Sequence, residues 1–169
     1  MTALYDPDRS ITGLVEQLAT LLPARDQMLA TAESCTGGLI AAACTDVSGS
    51  SAWFERGYVT YSNAAKQQDL GVAPALLDDH GAVSEAVVAA MTRGVLAASI
   101  ADWAIAVSGV AGPNGGSDTK PVGTVYIGWQ QRGGQADVVR YDFDGDRGAV
   151  RRASVLAALM GLRQRVDAL

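Results

Sequence analysis

Apolar positions along this chain recur at helical spacing in some stretches and in short continuous runs in others, and the changes of spacing divide it into elements. Ile11, Leu14, Val15, Leu18 and Leu22 fall at intervals of three and four with Pro23 closing the run, which predicts an amphipathic helix. Residues 27–33 read as a short strand, and the Ala-rich stretch 37–47 as a buried helix ended by Ser48-Gly49-Ser50-Ser51. The aromatic and β-branched stretch 53–62 predicts a strand entering a short helix, which Asn63 begins and Gly71 breaks. Ser84 caps a helix whose core face carries Val87, Val88, Met91 and Val95, and residues 102–109, with the run Trp103-Ala104-Ile105-Ala106-Val107, follow as a buried strand. Glycine and proline then dominate as far as Gly123. Residues 124–130 and 135–143 flank Arg132-Gly133-Gly134 as a hairpin, and a final helix starts near Asp146.

This order predicts an α/β fold: a mixed β-sheet covered by helices on both faces, an α/β/α sandwich with an antiparallel hairpin at one side. A single domain is expected over residues 1–169, with 1–9 as a flexible N-terminal segment and no internal repeat or linker. Sites in such sheets collect at strand ends.

Composition narrows the function classes. The 169 residues, 49% hydrophobic, suffice for one substantial core. A net charge of −5 without any clustered Lys/Arg run argues against nucleic acid or an anionic membrane as partner. No apolar run approaches the ~18 residues of a membrane span. The start of the chain, with Asp6, Pro7, Asp8 and Arg9, lacks the pattern of a signal peptide, so a cytoplasmic protein is expected. Cys35 and Cys44 form no C-x-x-C pair, and the single histidine, His80, sits in Asp78-Asp79-His80-Gly81, read as a solvated loop. No metal site is expected.

Only two of the thirteen basic residues are lysines, Lys66 and Lys120. A drift toward arginine consumes lysines that serve merely as surface cations and spares those that must lose a proton, which arginine cannot do. Lys66 follows Asn63-Ala64-Ala65, read as an N-cap and first turn, where the positive end of the helix dipole favours the neutral amine. Chance survival of two lysines is the competing explanation.

Four stretches could carry chemistry. In Ala32-Glu33-Ser34-Cys35-Thr36-Gly37-Gly38, a serine at a strand-to-helix junction exposes its hydroxyl, and the amides of the following turn can bind an anion or oxyanion. A plain capping turn would use the same residues. Cys35 competes for the role of nucleophile, its thiol acidified by the helix start, but no obvious histidine partner is at hand and serine is preferred. In the second stretch, Tyr58 to Lys66, a neutral Lys66 facing the Ser34 turn could take the seryl proton, as in Ser-Lys hydrolases; a snorkelling surface lysine is the alternative. The third, Ser108 to Gly123, fits either a shaped loop around a polar ligand or a plain connection, and contains no Walker A pattern. In the fourth, Arg147 and Arg151 lie four apart behind Asp146, hence on one helix face, where they could clamp a phosphate or simply be solvated.

Taken in order, these stretches resemble the bacterial CinA C-terminal domain family. Gly49-Ser50-Ser51, Gly81-Ala82-Val83-Ser84 and Lys120-Pro121-Val122-Gly123-Thr124-Val125 share the resemblance, which runs from about Ser10 to the last helix. The short length is similar to that of the family's stand-alone form. The resemblance implies an amidohydrolase converting nicotinamide mononucleotide and water to nicotinate mononucleotide and ammonia in a pyridine nucleotide salvage route, without metal or organic cofactor. Carried over by residue, Ser34 is the nucleophile, Lys66 the base and Tyr61 a group orienting that pair. Cys35, Thr36, Gly37 and Gly38 line the substrate, with the amides of 36–38 holding the oxyanion. Ser108, Gly112, Gly115 and Gly116 contact the nucleotide, and Arg147 with Arg151 holds its phosphate. The resemblance also implies a homo-oligomer. A non-catalytic nucleotide-binding accessory protein is the competing reading.

Overall fold

Five strands, β1 (Leu29–Glu33), β2 (Phe54–Val59), β3 (Trp103–Gly109), β4 (Thr124–Gln131) and β5 (Asp137–Asp142), form one sheet in the order β2-β1-β3-β4-β5 in a computed structural model describing residues 7–168. β1 pairs in parallel with both β2 and β3, while β3, β4 and β5 are antiparallel neighbours. Six α-helices surround the sheet: α1 (Pro7–Leu21), α2 (Leu39–Thr45), α3 (Asn63–Leu70), α4 (Pro74–His80), α5 (Glu85–Ala97) and α6 (Arg147–Asp167). α1, α2 and α6 pack together on one face, and α5, backed by α3 and α4, covers the other. The expected mixed sandwich with a hairpin at one side is thus what the chain forms. Residues 1–6 of the expected flexible segment lie outside the described residues, and α1 begins at Pro7, within it.

Alternation along the strands sets the two layers apart. In β3, Trp103, Ile105 and Val107 point toward α6, whereas Ala104 and Ala106 face α5. β1 repeats this with Leu29 on the first side and Ala30 and Ala32 on the second, and β4 with Val125, Ile127 and Trp129 on the first. Small residues on the α5 side let that helix approach the sheet closely. A methyl group built on Gly128 would lie 2.8 Å from Val88 of α5. α5 in turn receives the end of α3 over Gly94, where an added Cβ would sit 2.1 Å from the Leu70 carbonyl oxygen. Because that neighbour is backbone, Gly94→Ala must displace α3, and a loss of about 2 kcal/mol is expected, read as a fall of about 5 °C in Tm.

Three local expectations need correction. The stretch ending Asp78-Asp79-His80 is helix α4 rather than a loop, started by Pro74 at its first turn and anchored by buried Leu77. α2 begins at Leu39, not Gly37, because Gly37 and Gly38 have φ of 60° and 100°, outside helical geometry. α3 is capped by Ser62, whose hydroxyl accepts from the Ala65 amide at 3.0 Å, not by Asn63. The caps at Ser84 and Asp146 are as expected, accepting from the amides of Val87 and Ala149.

Candidate active site

The carboxyl ends of the three parallel strands meet at one point. Ser34 leaves β1 with its amide donating to the Val107 carbonyl of β3, and Thr60, just past β2, donates to the Glu33 carbonyl. This stitching fixes the Ser34 turn relative to the start of α3, which carries Lys66 in its first turns. The Lys66 Nζ lies 3.1 Å from Ser34 Oγ and donates to the Thr60 carbonyl at 2.8 Å. Lys66 is 1% exposed, and no ion pair with a carboxylate reaches it among the described residues. Burial lowers its pKa below the ordinary lysine value, opposed by the nearby Cys35 thiol. An amine enclosed this way, with no counter-charge, gives up its proton more readily than an exposed lysine does.

Cys35 has the opposite fate. It is buried and unpaired with Cys44, and burial pushes its thiol up to about 11, so it remains protonated at neutral pH. The acidification expected from a helix start does not occur, since α2 begins four residues later and the turn is enclosed. Cys44 is likewise pushed up, to about 12.

The turn amides divide their roles in a way the sequence does not show. Gly37 donates to the Ser34 carbonyl at 3.0 Å, closing the turn, so its amide is not free for an oxyanion. The first amides of α2 are also taken, Ile40 and Ala41 donating at 2.9 and 3.0 Å to the two carboxylate oxygens of buried Glu33. Thr36 and Gly38 keep amides without an acceptor among the described residues. Glu33 had no assigned role, and its sequence signals are an acid ending a largely apolar strand and its place in the stretch that carries Ser34.

A cleft of about 230 Å³ opens in front of the dyad, lined by Ser34, Cys35, Lys66, Tyr61, Ser108 and Arg147, with Asn63, Ala82, Val83, Gly109 and Ala111 completing it. Asn63, Ala82 and Val83 were not singled out as site residues, although all three lie in stretches that carry the family resemblance. Ser108 is 1% exposed and its hydroxyl donates to the Ala82 carbonyl. The Tyr61 hydroxyl meets Arg147, not the Ser-Lys pair: Arg147 donates to it at 2.7 Å and to the Gly112 carbonyl at 2.9 Å. Gly115 and Gly116 sit farther out on the exposed loop and do not line the cleft. Arg151 does not line it either, but donates to the Cys35 and Thr36 carbonyls and borders a separate hollow of about 440 Å³ with residues of α1, α2 and α6. That hollow is larger but holds neither Ser34 nor Lys66. Lys120, the other lysine, ties the glycine-rich loop to the His80 carbonyl at 2.8 Å and takes no part in the cleft. Among the described residues no group of three or more His, Cys, Asp or Glu could hold a metal ion, and no helix is long and apolar enough to cross a membrane.

The CinA C-terminal domain family matches residues 11–166, all the elements that build this cleft. The chain belongs to that family. A CinA relative from Pseudomonas putida, nicotinamide-nucleotide amidohydrolase PncC, is 58% identical over 154 residues, covering 91% of this chain and 96% of its own. The protein of the same name from Escherichia coli K12 is 52% identical over 157 residues, covering 93% and 95%. In three dimensions, the crystal structure of the competence/damage inducible protein CihA from Agrobacterium tumefaciens matches with a TM-score of 0.90 at 40% identity over 99% of each chain. The CinA fold of this chain therefore rests on sequence and structure alike.

Proposed function

We propose that this chain is a nicotinamide-nucleotide amidohydrolase in which Ser34 is the nucleophile and Lys66 the base. The observation that carries the reading is the buried amine 3.1 Å from a cleft-lining hydroxyl, with no carboxylate to hold its proton. The names of its CinA relatives supply the substrate class. Ser34 Oγ adds to the carboxamide carbon as its proton passes to neutral Lys66, giving a tetrahedral oxyanion. Collapse breaks the C–N bond, and the Lys66 ammonium returns the proton to the departing nitrogen, which leaves as ammonia. Water then adds to the seryl ester with Lys66 again taking a proton, and nicotinate mononucleotide is released as Ser34 recovers its hydrogen. The free Thr36 and Gly38 amides stabilise the oxyanion. A merely binding protein gains nothing from burying an unpaired amine against a serine.

Arg147 is the phosphate ligand in this reading. Tyr61 and Gly112 hold its guanidinium at the cleft, and its planar fork suits a phosphate. Arg147→Ala is expected to raise KM for the mononucleotide by about 10- to 100-fold with kcat little changed, since it removes binding common to ground and transition states. Nicotinamide riboside should be a poor substrate, unaffected by the same substitution. Equal turnover of riboside and mononucleotide by the unaltered protein would show that no phosphate clamp exists. Release of ammonia and nicotinate mononucleotide, followed together, tests the amidase itself; none from folded protein would overturn it.

A further inference from the structure

Arg151 shares a helix with Arg147 but faces the protein, not the cleft. Its Nε donates to the Cys35 carbonyl at 3.1 Å and its Nη2 to the Thr36 carbonyl at 3.2 Å. No carboxylate pairs with it among the described residues. Its positive charge is therefore directed at two consecutive peptide carbonyls immediately after the nucleophile. A hydrogen-bonded contact across 115 positions of sequence for the sake of a five-residue turn calls for a reason beyond holding α6 to the sheet, which Val150, Val155 and Leu159 already do from within the core.

The reason lies in peptide geometry. Gly112-Pro113 is the one cis bond among the described residues, so the Cys35-Thr36 peptide is trans and its carbonyl and amide point to opposite sides. An arginine gripping the Cys35 carbonyl from α6 aims the Thr36 N–H away from α6. Thr36 is wholly buried, and its amide has no acceptor among the described residues. An orphaned buried amide is costly, and such groups are rare in folded proteins. Drawing electron density toward the gripped carbonyl also makes the N–H of the same peptide a stronger donor.

We propose that Arg151 is a positioning residue that aims and polarises the Thr36 amide toward the oxyanion formed when Ser34 adds to the substrate carboxamide. This rests on the amidase reading and assigns the two arginines separate work: Arg147 holds the ligand, Arg151 the turn. Lysine at position 151 offers a point charge with rotating donors in place of the planar fork that fixes both carbonyls at once.

The test compares Arg151→Lys and Arg151→Ala with the unaltered chain on nicotinamide mononucleotide. Both variants should lose about 10- to 100-fold in kcat with KM changed by less than about twofold, the reverse of Arg147→Ala. Added methylguanidine should restore part of the kcat of Arg151→Ala and methylamine should not. Amide hydrogen exchange of the segment 34–38 should accelerate in Arg151→Ala, with α5 unchanged. Unaltered kcat in both variants, a rise in KM alone, or unchanged exchange of the turn each overturns the inference while leaving an active amidase. An unaltered chain that releases no ammonia instead removes the amidase reading, and this inference with it.

Discussion

Lys66→Met is expected to stop turnover and to make the protein more stable. Ser34→Ala and Lys66→Met should each lower kcat by about 10⁴-fold or more, because nucleophile and base act as a unit and the loss of either leaves only binding and oxyanion stabilisation. Lys66→Arg should be equally inactive, since a guanidinium does not give up its proton. The stability gain follows from burial. Folding encloses the amine and lowers its pKa, so between that lowered value and the ordinary lysine value of 10.5 the unfolded chain binds more protons than the folded one. Stability of the unaltered protein therefore rises with pH, from the lowered folded-state value up to 10.5. Methionine, filling similar space without a titrating group, removes that penalty, and the difference in Tm should shrink as the pH is raised. kcat/KM should follow the same proton, rising with pH and levelling off above the lowered Lys66 value. Activity that climbs only near 10.5, or survives in Lys66→Arg, would show that Lys66 is not the base.

The largest loss of stability is expected from Glu33→Ala. Glu33 is 1% exposed and spans the start of α2, one oxygen on the Ile40 amide and the other on Ala41. A negative group there also complements the helix dipole. Removing it strands two amides at an enclosed helix end, and about 3–4 kcal/mol is expected, a fall of about 10 °C in Tm. Glu33→Gln is the sharper variant. Its amide offers one oxygen and turns an NH2 toward the second N–H, so about half that loss is expected. A glutamine variant as stable as the unaltered protein in thermal and denaturant unfolding would mean that the carboxylate is dispensable to α2.

Much of the fold was legible because periodicity reports burial. Leu18, Val87, Val88, Met91 and Val95 sit at 0% exposure on helices whose spacing predicted them, and the run from Trp103 to Val107 is wholly enclosed. α4 was hidden because its last turn, Asp78-Asp79-His80, is polar and only Leu77 buries deeply, although Pro74 marks a helix start. At the site, Ser34 and Lys66 could be paired from motif and from the scarcity of lysine. The same scarcity pointed to Lys120, which only braces a loop. The partners of Tyr61, the burial of Cys35 and the inward turn of Arg151 depend on contacts between distant segments, which no local spacing encodes.

The unequal faces of the sheet have a consequence for which substitutions the domain can absorb. On the α6 side the strands present bulky residues that fill their space, so damage comes from shortening them and leaving a cavity. On the α5 side Ala30, Ala32, Ala104, Ala106 and Gly128 leave almost no room, so damage comes from enlarging them and overpacking the layer. Adjacent positions such as Ala104 and Ile105 thus fail in opposite directions, one by gaining atoms and the other by losing them. The α5 face is also the one backed by α3 and hence by Lys66, so enlargement there shifts the base relative to the nucleophile before it unfolds anything.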